Sequence, residues 1–315
     1  MIVLAVITPT WNTDEWVARM RKALPDIEVR GWPELGNLDE ITYAACWKPP
    51  AKLLATLPNL KLMVSLGAGV DDLLRDSTLP KHVPLLRVVD ADLTARMSEY
   101  VLLHVLIHAR EQRRLDANQK LSKWDSFAAH TAKDFSVGVM GLGTLGQDAA
   151  TKLCMMGFRV RGWSRSAKHL SGVECFSGET GLNAFLVGTD ILVCLLPATA
   201  DTEGMINRDL LSQLSRHGPF GAPILINAGR GRVQNEPDIL ACLNDGTLYA
   251  ATLDVFGQEP LPATSAFWLH PKVTVTPHAA ADSDPAAICA YVARQIVLFS
   301  AGKPVSNIVD VTAGY

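Results

Sequence analysis

Nowhere in the chain do like charges gather into a block, cysteines stand at Cys-x-x-Cys spacing, or apolar residues run on far enough to cross a bilayer. Each absence removes a class of function. With 29 basic and 32 acidic residues and a formal net charge of −3, there is no electrostatic footprint for nucleic acid or an anionic membrane, and neither partner is expected. Val101 to Ile107, the longest apolar stretch after the first strand, is far short of a membrane span and is interrupted by His104. The apolar opening Ile2-Val3-Leu4-Ala5-Val6-Ile7 follows no basic leader and precedes no small-residue cleavage site. It reads as a first β-strand, and a cytoplasmic protein is expected. The six cysteines (Cys46, Cys154, Cys175, Cys194, Cys242 and Cys289) are scattered in apolar settings without ligand spacing. They are expected to be buried thiols, with neither disulfide nor metal.

What remains is the composition of an ordinary globular enzyme: 315 residues, 48% hydrophobic and 19% charged, enough to build two domains. Short apolar strands alternate with longer helical patterns, which predicts an α/β fold with a mostly parallel sheet covered by helices on both faces. A first unit is expected from strands near Ile2–Ile7, Glu28–Gly31, Ile41–Ala45, Leu62–Leu66 and Leu85–Val88, with a helix near Asp14–Leu24. A helix over about Ser98–Asn118 follows, long enough to run from one domain to the next. The second unit opens with Ser136–Met140 and continues through strands near Arg159–Trp163, Ile191–Leu195, Pro223–Ile226, Ala250–Leu253 and Val273–Thr276. A last helix, about Ala286–Ser300, stops at Gly302 and Pro304 and is expected to return to the first unit.

The sharpest motif is Gly141-Leu142-Gly143-Thr144-Leu145-Gly146, between the strand Ser136–Met140 and a helix expected over Gln147–Met156. That setting marks the dinucleotide-binding turn of a doubly wound Rossmann domain. Gly141 permits the tight turn, Gly143 lets the backbone approach a pyrophosphate and Gly146 allows close helix–strand packing. Backbone N–H groups at the helix start, at Thr144 and Leu145, then face the phosphates. About 20 residues on, where an NAD enzyme places a carboxylate for the ribose 2′-hydroxyl, stands Ser164-Arg165-Ser166. An acid there would repel a 2′-phosphate, whereas Arg165 can pair with one and the Ser164 and Ser166 hydroxyls can donate to it, so NADP(H) is the expected cofactor.

Three later strand ends carry the remaining chemistry. Ile224-Leu225-Ile226 leads to Asn227-Ala228-Gly229-Arg230, Thr252-Leu253 leads to Asp254 and Glu259, and Val273-Thr274-Val275-Thr276 leads to Pro277-His278. In a doubly wound sheet those ends share one crevice. Reducing a 2-oxo acid needs a cation for the carboxylate and carbonyl, and a proton donor for the oxygen that becomes an alkoxide. Arg230 and His278 suit those roles, and Glu259 can orient the imidazole and favour its charged form.

Gly-Leu-Gly-Thr-Leu-Gly at 141–146, Asn-Ala-Gly-Arg-Gly at 227–231, Leu-Asp-Val-Phe-Gly-Gln-Glu-Pro at 253–260 and Pro-His at 277–278 together resemble the D-isomer-specific 2-hydroxyacid dehydrogenases, over nearly the whole chain. The resemblance implies a Rossmann NADP-binding domain at 98–285 and a smaller flavodoxin-like α/β substrate domain at 1–97 and 286–315. It implies that Arg230, Glu259 and His278 are catalytic, that Asp254 lies near the nicotinamide, and that Leu196, Pro197 and Ala228 line the cofactor. Ser65-Leu66-Gly67-Ala68-Gly69-Val70-Asp71 resembles the family's substrate loop, whose N–H groups at Gly67, Ala68 and Gly69 meet the substrate carboxylate. Trp47, that loop, the Trp-Ser-Arg-Ser segment at 163–166 and the helix Met97–Leu102 resemble members acting on glyoxylate and hydroxypyruvate with NADPH. Trp47 would then limit the pocket to a short acid, and a homodimer built largely through the cofactor domains is implied. Two departures stand out: the segment 231–236 lacks the Asp that many relatives carry near Asn235, and Arg232 is an extra cation expected to face solvent. Two other readings stay open, a dehydrogenase for a bulkier 2-oxo acid and a non-catalytic dinucleotide-sensing protein of the corepressor kind. Against the second, the chain lacks extended disordered tails.

Overall fold

The computed structural model describes residues 2–311. The chain divides into two compact units, one running up to Leu93 and resuming at Ser283, the other spanning Thr94–Asp282. In chain order the first unit contributes β1 (Val3–Ile7), α1 (Thr13–Ala23), β2 (Glu28–Gly31), β3 (Ile41–Cys46), β4 (Leu62–Ser65), α2 (Asp71–Leu74) and β5 (Leu85–Arg87). Helix α3 (Ala91–Ala109) runs across the division. The second unit continues with α4 (Gln112–Lys120), β6 (Ser136–Met140), α5 (Thr144–Met155), β7 (Arg159–Ser164), β8 (Val173–Ser177), α6 (Gly178–Val187) and β9 (Ile191–Cys194). It is completed by α7 (Arg208–Ser212), β10 (Ile224–Asn227), α8 (Glu236–Asp245), β11 (Ala250–Leu253) and β12 (Val273–Val275). The chain then rejoins the first unit as α9 (Pro285–Ser300).

The first unit is built on a five-stranded sheet of order β2-β1-β3-β4-β5, parallel throughout. This is the flavodoxin-like order. Helix α9 lays Ile288, Val292 and Ile296 into one apolar layer with Trp16, Val17 and Met20 of α1, which fixes the returning segment to this unit. The second unit carries a seven-stranded parallel sheet, β12-β11-β10-β9-β6-β7-β8, the doubly wound Rossmann arrangement. Its strand order reverses between β6 and β9, the switch point at which such sheets bind ligands.

Parallel strands covered on both faces must be apolar at nearly every position, and side chains alternate between the faces. Ile191 and Val193 of β9 join Ile224 and Ile226 of β10 in one layer, while Leu192, Cys194 and Leu225 join the layer on the opposite face.

Three expectations are corrected. The single helix expected over Ser98–Asn118 is two helices, because Glu111 has φ +54°, a left-handed turn that no α-helix accommodates in its interior. The first of them starts well before Ser98, with the Asp90 carboxylate accepting the Leu93 N–H at 2.8 Å. Of the six thiols expected to be buried, Cys154 and Cys175 are only half-buried.

Candidate active site

Register places Trp163, Met140, Cys194, Asn227, Leu253 and Val275 in one row across the second unit's sheet. Since every pair is parallel, all the segments that follow these residues leave the same edge. The sequence-derived cofactor and catalytic residues lie in those segments.

At the end of β6, Gly141 has φ +111°, and a Cβ there would fall 2.9 Å from the Leu195 carbonyl group. A Cβ on Gly146 would lie 1.9 Å from the Gly141 carbonyl oxygen, so α5 approaches its strand only because this residue has no side chain. Gly143 differs: a Cβ there would meet nothing within 4 Å. It is the N-cap of α5, and no side chain caps that helix, so Thr144 and its neighbours keep N–H donors for a ligand. A side-chain-free cradle at an uncapped helix start fits a pyrophosphate. At the end of β7, Ser164 is buried and donates its hydroxyl proton to the Ser166 carbonyl at 2.8 Å, closing a turn on which Arg165 and Ser166 are exposed. With its one proton so used, Ser164 shapes the turn rather than offering a donor at its surface.

The loops after β9, β10 and β11 are pressed together through glycines. A Cβ on Gly229 would lie 2.6 Å from the Leu196 carbonyl oxygen, and one on Gly231 would lie 2.0 Å from the Phe256 carbonyl group. Asn227 organises the Arg230 loop, accepting the Gly229 N–H at 3.0 Å and donating to Gln234 at 2.8 Å. Gln234 in turn donates to the Val255 carbonyl at 2.9 Å. Ala228 is buried, its N–H on the Cys194 carbonyl at 3.1 Å, and Arg230 Nη1 donates to the Gly229 carbonyl at 2.8 Å. Pro197 lies in the β9 loop, its carbonyl accepting from Thr202 at 2.6 Å. Arg232, expected to face solvent, is half-exposed and meets Glu203 at 2.5 Å.

His278 has φ +54°, a left-handed conformation that costs a non-glycine residue on the order of 1 kcal/mol and persists only where its surroundings impose it. Asp254 imposes it. The buried Asp254 carboxylate accepts the Ala279 N–H at 2.9 Å, the Ala280 N–H at 3.0 Å and the Thr276 hydroxyl at 2.5 Å, while its backbone carbonyl accepts the His278 N–H at 2.8 Å. Because Thr276 gives its proton to Asp254, Tyr100 on α3 must be the donor in their 2.7 Å contact. So held, the His278 ring sets Nδ1 2.8 Å from one oxygen of Glu259, whose other oxygen accepts the Phe256 N–H at 3.0 Å. The histidine side chain is 40% exposed and the glutamate 25%, so the pair stands at an accessible edge.

Behind this edge lies a dry layer. The His104 ring packs 4.2 Å from Tyr100, and burial lowers its pKa; burial likewise raises the Tyr100 phenol. His108 contacts Thr252 of β11 at 2.9 Å, and burial, with Arg113 and His104 adding, pushes it down to about 3. Burial pushes the Cys194 thiol up to about 12, which leaves it inert at neutral pH.

In the first unit, the loop after β4 carries Gly67, Ala68 and Gly69. The Ser65 hydroxyl shares its one proton between the Gly67 and Gly69 carbonyls, at 3.0 and 3.2 Å, and accepts the Gly67 N–H at 3.3 Å, curling that loop. Trp47, just after β3, lies against it: a Cβ on Gly67 would fall 2.3 Å from the indole Cζ3.

Several contributors escaped sequence reasoning. Asn227 stood inside a quoted motif but carried no assigned role, and Thr276 stood two residues before His278. Nothing in the sequence links Tyr100 or Gln234 to either.

A family model described as D-isomer specific 2-hydroxyacid dehydrogenase, NAD binding domain, matches residues 102–280. Over 312 residues the chain is 41% identical to a glyoxylate/hydroxypyruvate reductase A of Serratia proteamaculans, the match covering 98% of each chain. Among solved structures it is similar to an NADPH-dependent glyoxylate/hydroxypyruvate reductase of Sinorhizobium meliloti in complex with NADP and sulfate, with TM-score 0.94 and 47% identity over 100% of both chains. A D-isomer specific 2-hydroxyacid dehydrogenase of Xanthobacter autotrophicus in complex with NADPH and MES aligns with TM-score 0.92 and 39% identity over 99% of both.

Proposed function

The chain belongs to the D-isomer specific 2-hydroxyacid dehydrogenases, and from that premise we propose that it reduces short 2-oxo acids, glyoxylate and hydroxypyruvate among them, with NADPH. The observation that carries the reading is the 2.8 Å pair of His278 and Glu259, which leaves the same sheet edge as the glycine turn and the Arg230 loop.

NADPH, when bound, supplies the hydride; the 141–146 turn would hold its pyrophosphate, Arg165 and Ser166 its 2′-phosphate, and Leu196, Pro197, Ala228 and Asp254 its flank. Glu259 accepts from Nδ1 and fixes the ring, which leaves Nε2 as the nitrogen that gives its proton to the substrate oxygen as charge develops there. Arg230 offers a fork of donors to the carboxylate and carbonyl, and favours the developing negative charge. Taken by itself, the first unit would meet a carboxylate with the N–H groups of the 67–69 loop, those of Ala68 and Gly69 beside that of Gly67, which also reaches Ser65 Oγ at 3.3 Å, and Trp47 would bound an acyl group there.

Two further readings complete the proposal. The protein acts as a homodimer, a reading supported by Trp124 and Leu121 of the second unit, apolar side chains 97% and 75% exposed that a second copy would cover. It acts in the cytoplasm, since its six cysteines are all unpaired, which suits a reducing compartment. Among the described residues no helix is long and apolar enough to cross a membrane.

Steady-state kinetics with NADPH and NADH against glyoxylate, hydroxypyruvate and a series of longer 2-oxo acids tests the main reading. Oxidation of NADPH by both short acids is the expected result. Purified protein that turns over neither would sink it.

A further inference from the structure

Three indoles from separate segments of the first unit form a single stack. Trp11, in the turn between β1 and α1, lies 5.0 Å from the Trp16 ring at an interplanar angle of 18° and 5.0 Å from the Trp47 ring at 13°. At one end Trp16 is anchored in α1, buried to 8% exposure. At the other, Trp47 presses on Gly67 so closely that no side chain fits between them. The middle ring, Trp11, is itself 36% exposed. It touches an indole on either side.

The geometry of Trp47 explains what the stack achieves. Trp47 stands just past β3, its N–H still on the Ile7 carbonyl at 2.9 Å, and the chain turns at the next residue, Lys48, which has φ +47°. Lys48 adds only a cation 5.7 Å from the ring centroid, a contact that a flexible chain holds loosely. Gly67 offers no side chain to wedge the indole in place. Trp47 is partly buried against the core layer of the first unit, and near-parallel stacking on Trp11, itself backed by Trp16, is the ring contact that adds to that packing and sets the plane of the indole.

We propose that Trp11 is a specificity-determining positioning residue: as the middle ring of the stack it clamps Trp47 onto Gly67, and so sets how large an acyl group can sit at the 67–69 loop. The proposal deepens the reductase reading and rests on it, because it takes that loop to be the substrate carboxylate site. Without Trp11 the Trp47 indole keeps only its partial packing on the core layer and gains room to shift off Gly67, opening the wall to longer side chains and loosening the fit around short ones.

The test uses the whole enzyme with Trp11→Ala, Trp11→Leu and Trp11→Phe. Trp11→Leu keeps apolar cover over the neighbouring rings and serves where the alanine variant folds poorly. Two readouts are taken: the ratio of kcat/KM for a branched or phenyl-substituted 2-oxo acid to that for glyoxylate, and the far-ultraviolet exciton couplet that stacked indoles produce in circular dichroism. In the alanine and leucine variants the couplet weakens and the ratio rises by about tenfold or more, mostly through a higher KM for glyoxylate, since one methylene in an apolar pocket is commonly worth about 10- to 200-fold. Trp11→Phe also weakens the couplet, but keeps a ring against Trp47 and returns the ratio close to that of the parent. A weakened couplet with an unchanged ratio overturns the proposal. So does a couplet that survives removal of Trp11. Parent enzyme that shows the couplet yet reduces no 2-oxo acid defeats the reductase reading and the proposal with it, a pattern distinct from an active parent whose variants keep its selectivity.

Discussion

Replacing His108 by Gln tests the buried layer beneath the edge that carries His278 and Glu259. The imidazole is 4% exposed, contacts Thr252 at 2.9 Å, and is held down to about 3 from an ordinary value of 6.5, chiefly by burial. As pH falls through 6.5 the unfolded chain takes up a proton at this residue, while the folded protein does not until about 3. The unfolded state binds more protons across that window, so the stability contribution is whole above the unfolded value and drains away as the solution is acidified. Between about pH 7 and about pH 5 the unfolded state gains a factor of roughly 25, or about 2 kcal/mol, provided the folded value stays below about 4. Glutamine can keep a hydrogen bond to Thr252 but does not titrate. Urea denaturation at a series of pH values, followed by circular dichroism, should therefore show the variant losing about 2 kcal/mol less than the parent over that interval. His104, lowered by burial in the same sense, remains in the variant, so some slope persists. A variant that loses stability as steeply as its parent would refute a buried, neutral His108.

Glu259→Gln keeps a carbonyl for the Phe256 N–H but removes the charge facing His278, and should lower kcat by about 100-fold with little change in KM for NADPH; parental turnover would remove Glu259 from the mechanism. Two glycine variants part in opposite ways. Gly143→Ala should fold as the parent does yet bind NADPH weakly, its methyl projecting into the cradle, whereas Gly146→Ala should destabilise the turn itself, because its Cβ would overlap the Gly141 carbonyl oxygen at 1.9 Å. Thermal denaturation with and without NADPH distinguishes the two, and equal melting temperatures for both apo variants would contradict the packing described. Arg165→Glu should weaken NADPH by at least about 10-fold more than NADH, since the 2′-phosphate would face a carboxylate. Equal losses for both cofactors, in a titration of nicotinamide fluorescence, would remove the phosphate contact.

Strands were legible where the sheet buries them on both faces. Ser136–Met140 and Ala250–Leu253 are unbroken small or apolar runs, and their observed limits match those read from the chain. Strand β8 was not read. It is an edge strand, half-exposed, and Val173-Glu174-Cys175-Phe176-Ser177 alternates too irregularly to stand out from a loop. The break at Glu111 was invisible because a left-handed residue in a polar stretch leaves no periodic signature. In the site, residue types at strand ends pointed to Arg230, Glu259 and His278, since the chemistry demands those types and the topology supplies those places. Asp254 shows the limit of that approach. The family resemblance made it a neighbour of the cofactor, but its hydrogen bonds to the N–H groups of Ala279 and Ala280 depend on how a separate strand end turns. The tryptophan stack is a stronger case, because Trp11, Trp16 and Trp47 follow no shared spacing and meet only through the fold.

The missing side chain at Gly231 bears on how such an enzyme could be altered. With the alpha carbon of one loop seated on the Phe256 carbonyl of the next, the guanidinium-bearing and acid-bearing segments form one mechanical part. Grafting residues 227–234 from a relative without also moving 254–259 would mismatch that seat, and the imidazole held by the second segment would shift although neither sequence around it had changed. Exchange between relatives should therefore succeed by cassette, with both segments transplanted together, and fail when they are moved singly.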